Sequence, residues 1–127
     1  DAAESAGRPM GKLGIIKDTW VESTRAAAEE YMLQRLAGVY TEYGSWWVFK
    51  GEHVGLERPD LVEAQVERAS RSAIVGDPDD LVARVDEYRA VGVDLVVLHT
   101  HRDRTRGESW ARCVRLIADT LLTGAAA

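Results

Sequence analysis

His99-Thr100-His101-Arg102-Asp103 is the densest run of chemically capable side chains in the chain. His99 and His101 stand two apart at the end of an apolar run, so on extended backbone their rings leave the same face. Arg102, Arg104 and Arg106 follow, and guanidinium groups suit a phosphate or a carboxylate. The same residues also fit a solvated basic loop that binds nothing. A third reading is the His-x-His-x-Asp-His pattern of a dinuclear metal site. Arg104 occupies the place of the last His, and no His follows it. Too few ligands remain for such a site, and no metal is expected.

Other candidates lie upstream. Lys17 and Thr19 share one face of a predicted strand, and Asp18 and Trp20 share the other. Either pair could point into a pocket, and the two-residue period does not choose between them. Trp46 and Trp47 lie in the stretch from Gly44 to Pro59, together with Phe49, His53 and Arg58. That stretch is long for an ordinary connection. Its Trp pair could line a pocket for a flat ligand or plug the end of a barrel. Gly76 marks a turn at the end of another strand. Cys113 sits beside Val114 and Ile117 on a predicted helix and reads as a buried, inert thiol. No glycine-rich phosphate loop occurs, and no Ser-His-acid arrangement can be argued from spacing.

The elements that position these residues are clearest from Gly76 to His99. Asp77 is placed to cap a helix, Pro78 fits its first position, and Asp79 and Asp80 favour its positive end. Leu81, Val82, Val85 and Tyr88 recur at helical spacing. Gly92 suits the left-handed residue that follows a helix. Val93 to Leu98 is apolar apart from Asp94, the pattern of a strand buried on both faces. Before this unit, Leu13 to Val21 reads as a strand. A helix from Thr24 or Ser23 to about Tyr43, stopped by Gly44, follows it. A shorter helix spans Asp60 to Arg71, and Ser72 to Val75 is a short strand. A last helix runs from about Glu108 to Leu122.

The composition, 46% apolar and 29% charged over 127 residues, is that of a globular protein with room for one core. A net charge of −5 argues against a general nucleic-acid binder. No apolar run approaches the roughly 18 residues of a membrane span. No signal peptide is evident, and a cytoplasmic location is expected. The chain opens at Asp1 in a polar, Ala-rich stretch, which fits a processed protein or a fragment.

Strands alternating with helices predict an α/β fold with parallel strands joined by right-handed crossovers. A whole (β/α)8 barrel takes about 250 residues. The expectation is therefore a partial barrel, its last three βα units. Gly7-Arg8-Pro9-Met10, Ile16-Lys17-Asp18-Thr19-Trp20-Val21 and Thr24 with Ala27-Ala28 resemble the sixth strand and helix of the bacterial luciferase-like monooxygenases. Gly76-Asp77-Pro78 with Leu81-Val82, and Gly92-Val93-Asp94 with Val96-Val97-Leu98, resemble their seventh and eighth units. Tyr43-Gly44-Ser45-Trp46 stands where some members carry an aromatic insert. The loop from His99 to Gly107 departs from the hydrophobic loop common after the family's eighth strand.

The resemblance implies a flavin- or deazaflavin-dependent oxidoreductase acting on a small organic substrate, with FMN or a deazaflavin as cofactor in the intact protein. It gives no counterpart to strands one to five, so it transfers no catalytic residue. The expected partners are the remainder of the barrel or a second copy, with no nucleic acid and no membrane. Pocket candidates are Lys17, Thr19, Trp46, Trp47, Gly76, His99, His101 and Arg102. The alternative is a non-enzymatic α/β module that associates through open sheet edges.

Overall fold

A computed structural model describes residues 7, 11–45, 48–49, 52–53, 59–100 and 107–123. The elements are β1 (Gly14–Val21), α1 (Arg25–Ser45), β2 (Val48–Phe49), β3 (Glu52–His53), α2 (Pro59–Ser72), β4 (Ile74–Gly76), α3 (Pro78–Ala90), β5 (Leu95–His99) and α4 (Gly107–Thr123). The order agrees with the sequence pattern, with two differences. Helix α1 runs through Gly44 instead of stopping there. The long connection after it carries a short antiparallel hairpin, in which Val48 pairs with His53 and Phe49 with Glu52.

Among the described residues, β1, β4 and β5 form a parallel sheet in the order β4-β1-β5. Strand β1 is central. Consecutive units of a barrel would instead place β4 between β1 and β5. The crossover from β1 to β4 and the one from β4 to β5 run in opposite directions across the sheet. Right-handed crossovers in opposite directions put their helices on opposite faces, and the side chains agree. On one face Trp20 stacks on Tyr31 of α1, with ring centroids 3.9 Å apart, and Val75 lines a groove with residues of α1 and α2. On the other, Lys17 lies over the Tyr88 ring of α3, and Val96 and Leu98 line a cleft with Val85 and Leu121. The fold is thus a small doubly wound α/β/α sandwich.

The core is built from both sides of β1. Trp20, Val21, Ile74, Leu81, Ala28, Met32 and Cys113 are buried. Full burial of a side chain like Leu81 contributes about 1.5–3 kcal/mol. Helix α3 starts as the sequence predicts. Asp77 Oδ1 accepts from the backbone N–H groups of Asp79 (3.0 Å) and Asp80 (3.1 Å), and Asp80 Oδ2 accepts from Asp77 N–H at 3.1 Å. That reciprocal pair satisfies donors the helix leaves open. The helix ends at Ala90 with Val91 as its C-cap, and Gly92 takes the left-handed conformation at φ 85°. Asp94, the polar break in the apolar run, ties the strand starts together: its carboxylate accepts from Leu13 N–H at 2.8 Å.

Strand β5 corrects the expectation of burial on both faces. Its side chains alternate, with Val96 and Leu98 packed against the core and Leu95 and Val97 exposed at 59% and 43%. Helices α1 and α2 cover the face only over β4 and the end of β1. Ile16, beside Val97 in the register, is 71% exposed. An apolar strip of Ile16, Leu95 and Val97 is therefore left open.

Candidate functional site

In open parallel sheets, ligands bind outside the carboxyl ends of the strands, where chain connections diverge to opposite faces. Here that point lies between β1, which leads to α1 on one side, and β5, which leads to α4 on the other. Asp18 and His99 stand there as register partners and share the open face. His99 Nδ1 is 3.1 Å from Asp18 Oδ1. A carboxylate oxygen only accepts, so the imidazole donates from Nδ1. Asp18 is half-buried and His99 exposed, and the apolar strip of Ile16, Leu95 and Val97 runs back from them along the same face.

Charged and polar groups complete the rim. Glu22 follows β1 and is nearly buried, with Arg112 Nε of α4 donating to its carboxylate at 3.3 Å. Trp110 Nε1 donates to Thr100 Oγ1 at 3.1 Å, which fixes α4 against the end of β5. Cys113 is fully buried, and Val21 N–H donates to its sulfur at 3.3 Å. Burial pushes its thiol up to about 11, so it is the inert core thiol the sequence suggests.

The other predicted residues are placed as follows. Lys17 and Thr19 point away from the open face. Thr19 is fully buried and donates from Oγ1 to the Lys17 carbonyl at 2.9 Å, while Lys17 Nζ lies 5.6 Å from the Tyr88 ring centre. Helices α3 and α4 cover that face, and Asp18 takes the open one. Gly76 is buried beneath Asp80, whose side chain occupies the space a Cβ would need. The close turn serves the helix cap. Trp46, Trp47, His101 and Arg102 lie outside the described residues, as does Asp103 of the metal-like pattern.

Asp80 also meets Arg25, whose Nε donates to Oδ2 at 3.0 Å. That hydrogen bond is the main cause holding the Asp80 carboxyl below the usual range; burial opposes it and the Asp77 N–H assists. The same pair raises the Arg25 guanidinium. The N-terminus of α3 is thus filled by the protein's own carboxylates. A phosphate there would meet Asp77 and Asp80, and like charges repel. Elsewhere, an open groove of about 760 Å³ lies between α1 and α2. Its floor is apolar, and its rim arginines are turned to acids: Arg25 to Asp80, Arg71 to Glu67 and Arg84 to Glu87. Among the described residues, no three His, Cys, Asp or Glu side chains are grouped to hold a metal. No described helix is long and apolar enough to cross a membrane.

Glu22 is the residue that sequence reasoning passes over as a site candidate. Alternation offers Asp18 as the alternative to Lys17 and Thr19, but its partnership with His99 depends on the strand register.

The fold and this site define a parallel α/β unit with a carboxylate–imidazole pair at its carboxyl end. No family model matches the sequence, and no curated protein matches it. Among solved structures, the chain is similar to the monooxygenase RslO1 from Streptomyces bottropensis, at 23% identity and a TM-score of 0.56. The match covers 99% of this chain and 35% of that one. The chain thus spans about a third of the neighbour's length, and a likeness at this identity concerns the fold.

Proposed function

We propose that the chain is the C-terminal part of a luciferase-like oxidoreductase of the monooxygenase class, acting on a small organic substrate with reduced FMN or a deazaflavin. The observation that supports it is the likeness to a monooxygenase across nearly the whole chain. The Gly76-Asp77-Pro78 crossover and the Gly92-Val93-Asp94 strand entry fit the same reading. The flavin would supply the electrons, and these residues would shape the substrate side and exclude water. The N-terminus of α3 does not fit the cofactor's phosphate, because Asp77 and Asp80 occupy its donors.

The reading makes a structural demand. In a closed (β/α)8 barrel β4 would stand between β1 and β5, with all helices outside. The β1–β5 ladder, from Gly14–Leu95 to Asp18–His99, would have to give way when the other units are present. The test is the protein that contains the upstream coding sequence. It should carry further βα units and bind FMN or a deazaflavin, while residues 1–127 alone bind neither tightly. An intact protein that lacks those units, or takes up no flavin, would overturn the reading.

The central position of β1 favours a second reading, a free-standing α/β module that associates through its open edges and face. Size-exclusion chromatography with denaturant unfolding separates the two. A monomer of residues 1–127 that unfolds cooperatively supports the module, and a dimer that completes a barrel supports the fragment. Aggregation supports the fragment.

A further inference from the structure

We propose that the groove between α1 and α2 binds a small apolar ligand carrying a positive charge, an alkyl- or arylammonium ion. Its apolar body would lie on Met32, Val66, Ala73 and Val75, and its cation would face Glu29 and Glu63. The floor and both acids come from α1, α2 and the start of β4, so the groove does not depend on the β1–β5 pairing. Strand β4 stands beside β1 in the open sheet and in a closed barrel alike. An ammonium site here goes beyond the oxidoreductase reading, and its test uses no flavin, so either can fail alone.

Size and lining suit a small molecule. The groove holds about 760 Å³, within the range of ligand pockets. Its walls run from Arg25 to Leu33 on α1 and from Glu63 to Arg71 on α2, about 12 Å along each helix. That is short for a docked helix of three turns and enough for a chain of several carbons. Met32 and Ala73 are buried at the floor, Val66 and Val75 are half-buried beside them, and Leu33 stands exposed at the lip. An apolar ligand would remove the open part of that surface from water, and the unbranched Met32 side chain can adapt to it.

Charge sets the sign of the ligand. Each arginine at the rim is matched by an acid. Arg25 Nε donates to Asp80 at 3.0 Å, Arg84 Nη1 donates to Glu87 at 2.7 Å, and Arg71 Nη2 lies 3.4 Å from Glu67. Ser70 Oγ donates to the Val66 carbonyl at 2.8 Å. An anion would therefore have to break one of these contacts to gain a donor. Glu29 and Glu63 are exposed and make no ion pair among the described residues. Arg25 attracts Glu29 along the helix, but its hydrogen bonds go to Asp80. An ammonium ion complements the two carboxylates left over. Beside an apolar wall, where water is partly displaced, that attraction exceeds its value in open solvent.

Titration of residues 1–127 with octylammonium, octanol and octanoate at submicellar concentration, read by nuclear magnetic resonance and calorimetry, tests the site. Octylammonium should perturb the methyl signals of Met32, Leu33, Val66 and Val75 and bind most tightly, with octanol weaker and octanoate weakest. Glu29→Gln and Glu63→Gln, both at exposed positions, should each weaken octylammonium about two- to fivefold and leave octanol unchanged. Glu108→Gln removes an exposed acid of α4 outside the groove and should leave octylammonium binding unchanged. That control separates a site from general attraction to a chain of net charge −5. Circular dichroism checks that the variants fold. Octanoate binding as tightly as octylammonium, methyl shifts elsewhere in the chain, or no binding by the unaltered chain would overturn the proposal. So would groove variants that bind like the parent, or a Glu108→Gln loss equal to theirs.

Discussion

Asp80 joins three contributions in one side chain, so its removal has a magnitude that can be worked out. Its carboxylate closes the cap by accepting from Asp77 N–H, places negative charge at the start of α3, and pairs with Arg25. The cap and the dipole terms each contribute about 0.5–1 kcal/mol. The ion pair adds little, because Arg25 is 63% exposed and solvent screens it. Asp80→Ala should therefore cost about 1–2 kcal/mol. For 127 residues the unfolding entropy is about 0.27 kcal/mol/K, so the melting temperature should fall by about 4–7 °C at neutral pH.

The pH dependence follows from the direction of the Asp80 shift. The Arg25 hydrogen bond holds its folded pKa below the ordinary value. A depressed carboxylate contributes stability that is fully present above its unfolded pKa of about 4 and is lost as pH falls through the folded value. The gap between the unaltered chain and Asp80→Ala should thus be full at pH 6–7 and narrow below about pH 4. Thermal unfolding followed by circular dichroism across that range is the assay. A variant as stable as the parent at pH 7, or a gap that stays constant into strong acid, would refute the account of the cap.

Gly76→Ala should destabilise by about 1–3 kcal/mol, read by urea unfolding, because the new Cβ meets Asp80. Asp80→Ala should not rescue it, since the Asp80 Cβ is itself in the way. Leu81→Ala removes a fully buried side chain and should cost about 2–5 kcal/mol in the same assay. Cys113, with its thiol pushed up to about 11, should react with a disulfide reagent at mildly alkaline pH only as fast as the chain opens. A native-state reaction as fast as that of a free thiol would contradict its burial. Ile16→Cys with Val97→Cys should form a disulfide in residues 1–127. The two are register partners on one face, and paired strands lie about 4.8 Å apart, within disulfide reach. Failure of that crosslink would count against the β4-β1-β5 order.

The parts of the fold legible in the sequence are those set by local rules. Asp77, Pro78 and Gly92 each have a conformational reason to be where they are, and α3 begins and ends around them. The inertness of Cys113 was legible for a similar reason, since its helical neighbours mark an inward face. The faces of β1 were not. Alternation separates Lys17 and Thr19 from Asp18 and Trp20, but it cannot say which set meets a helix. That depends on where α1 and α3 pack, which is set by crossover direction across the whole sheet.

Strand order fails to show in the sequence for the same reason, and it decides the site. The apolar run of β5 has the composition of a strand covered on both faces, whichever neighbour it takes. Beside β1 it becomes an edge strand, with Leu95 and Val97 open and His99 opposite Asp18. Beside β4, as in a barrel, its register partners would be different residues. The Asp18–His99 couple is therefore a consequence of topology more than of motif. A single observation of whether β1 and β5 remain neighbours in the intact protein bears on the fold, the exposed strip and the Asp18–His99 pair together.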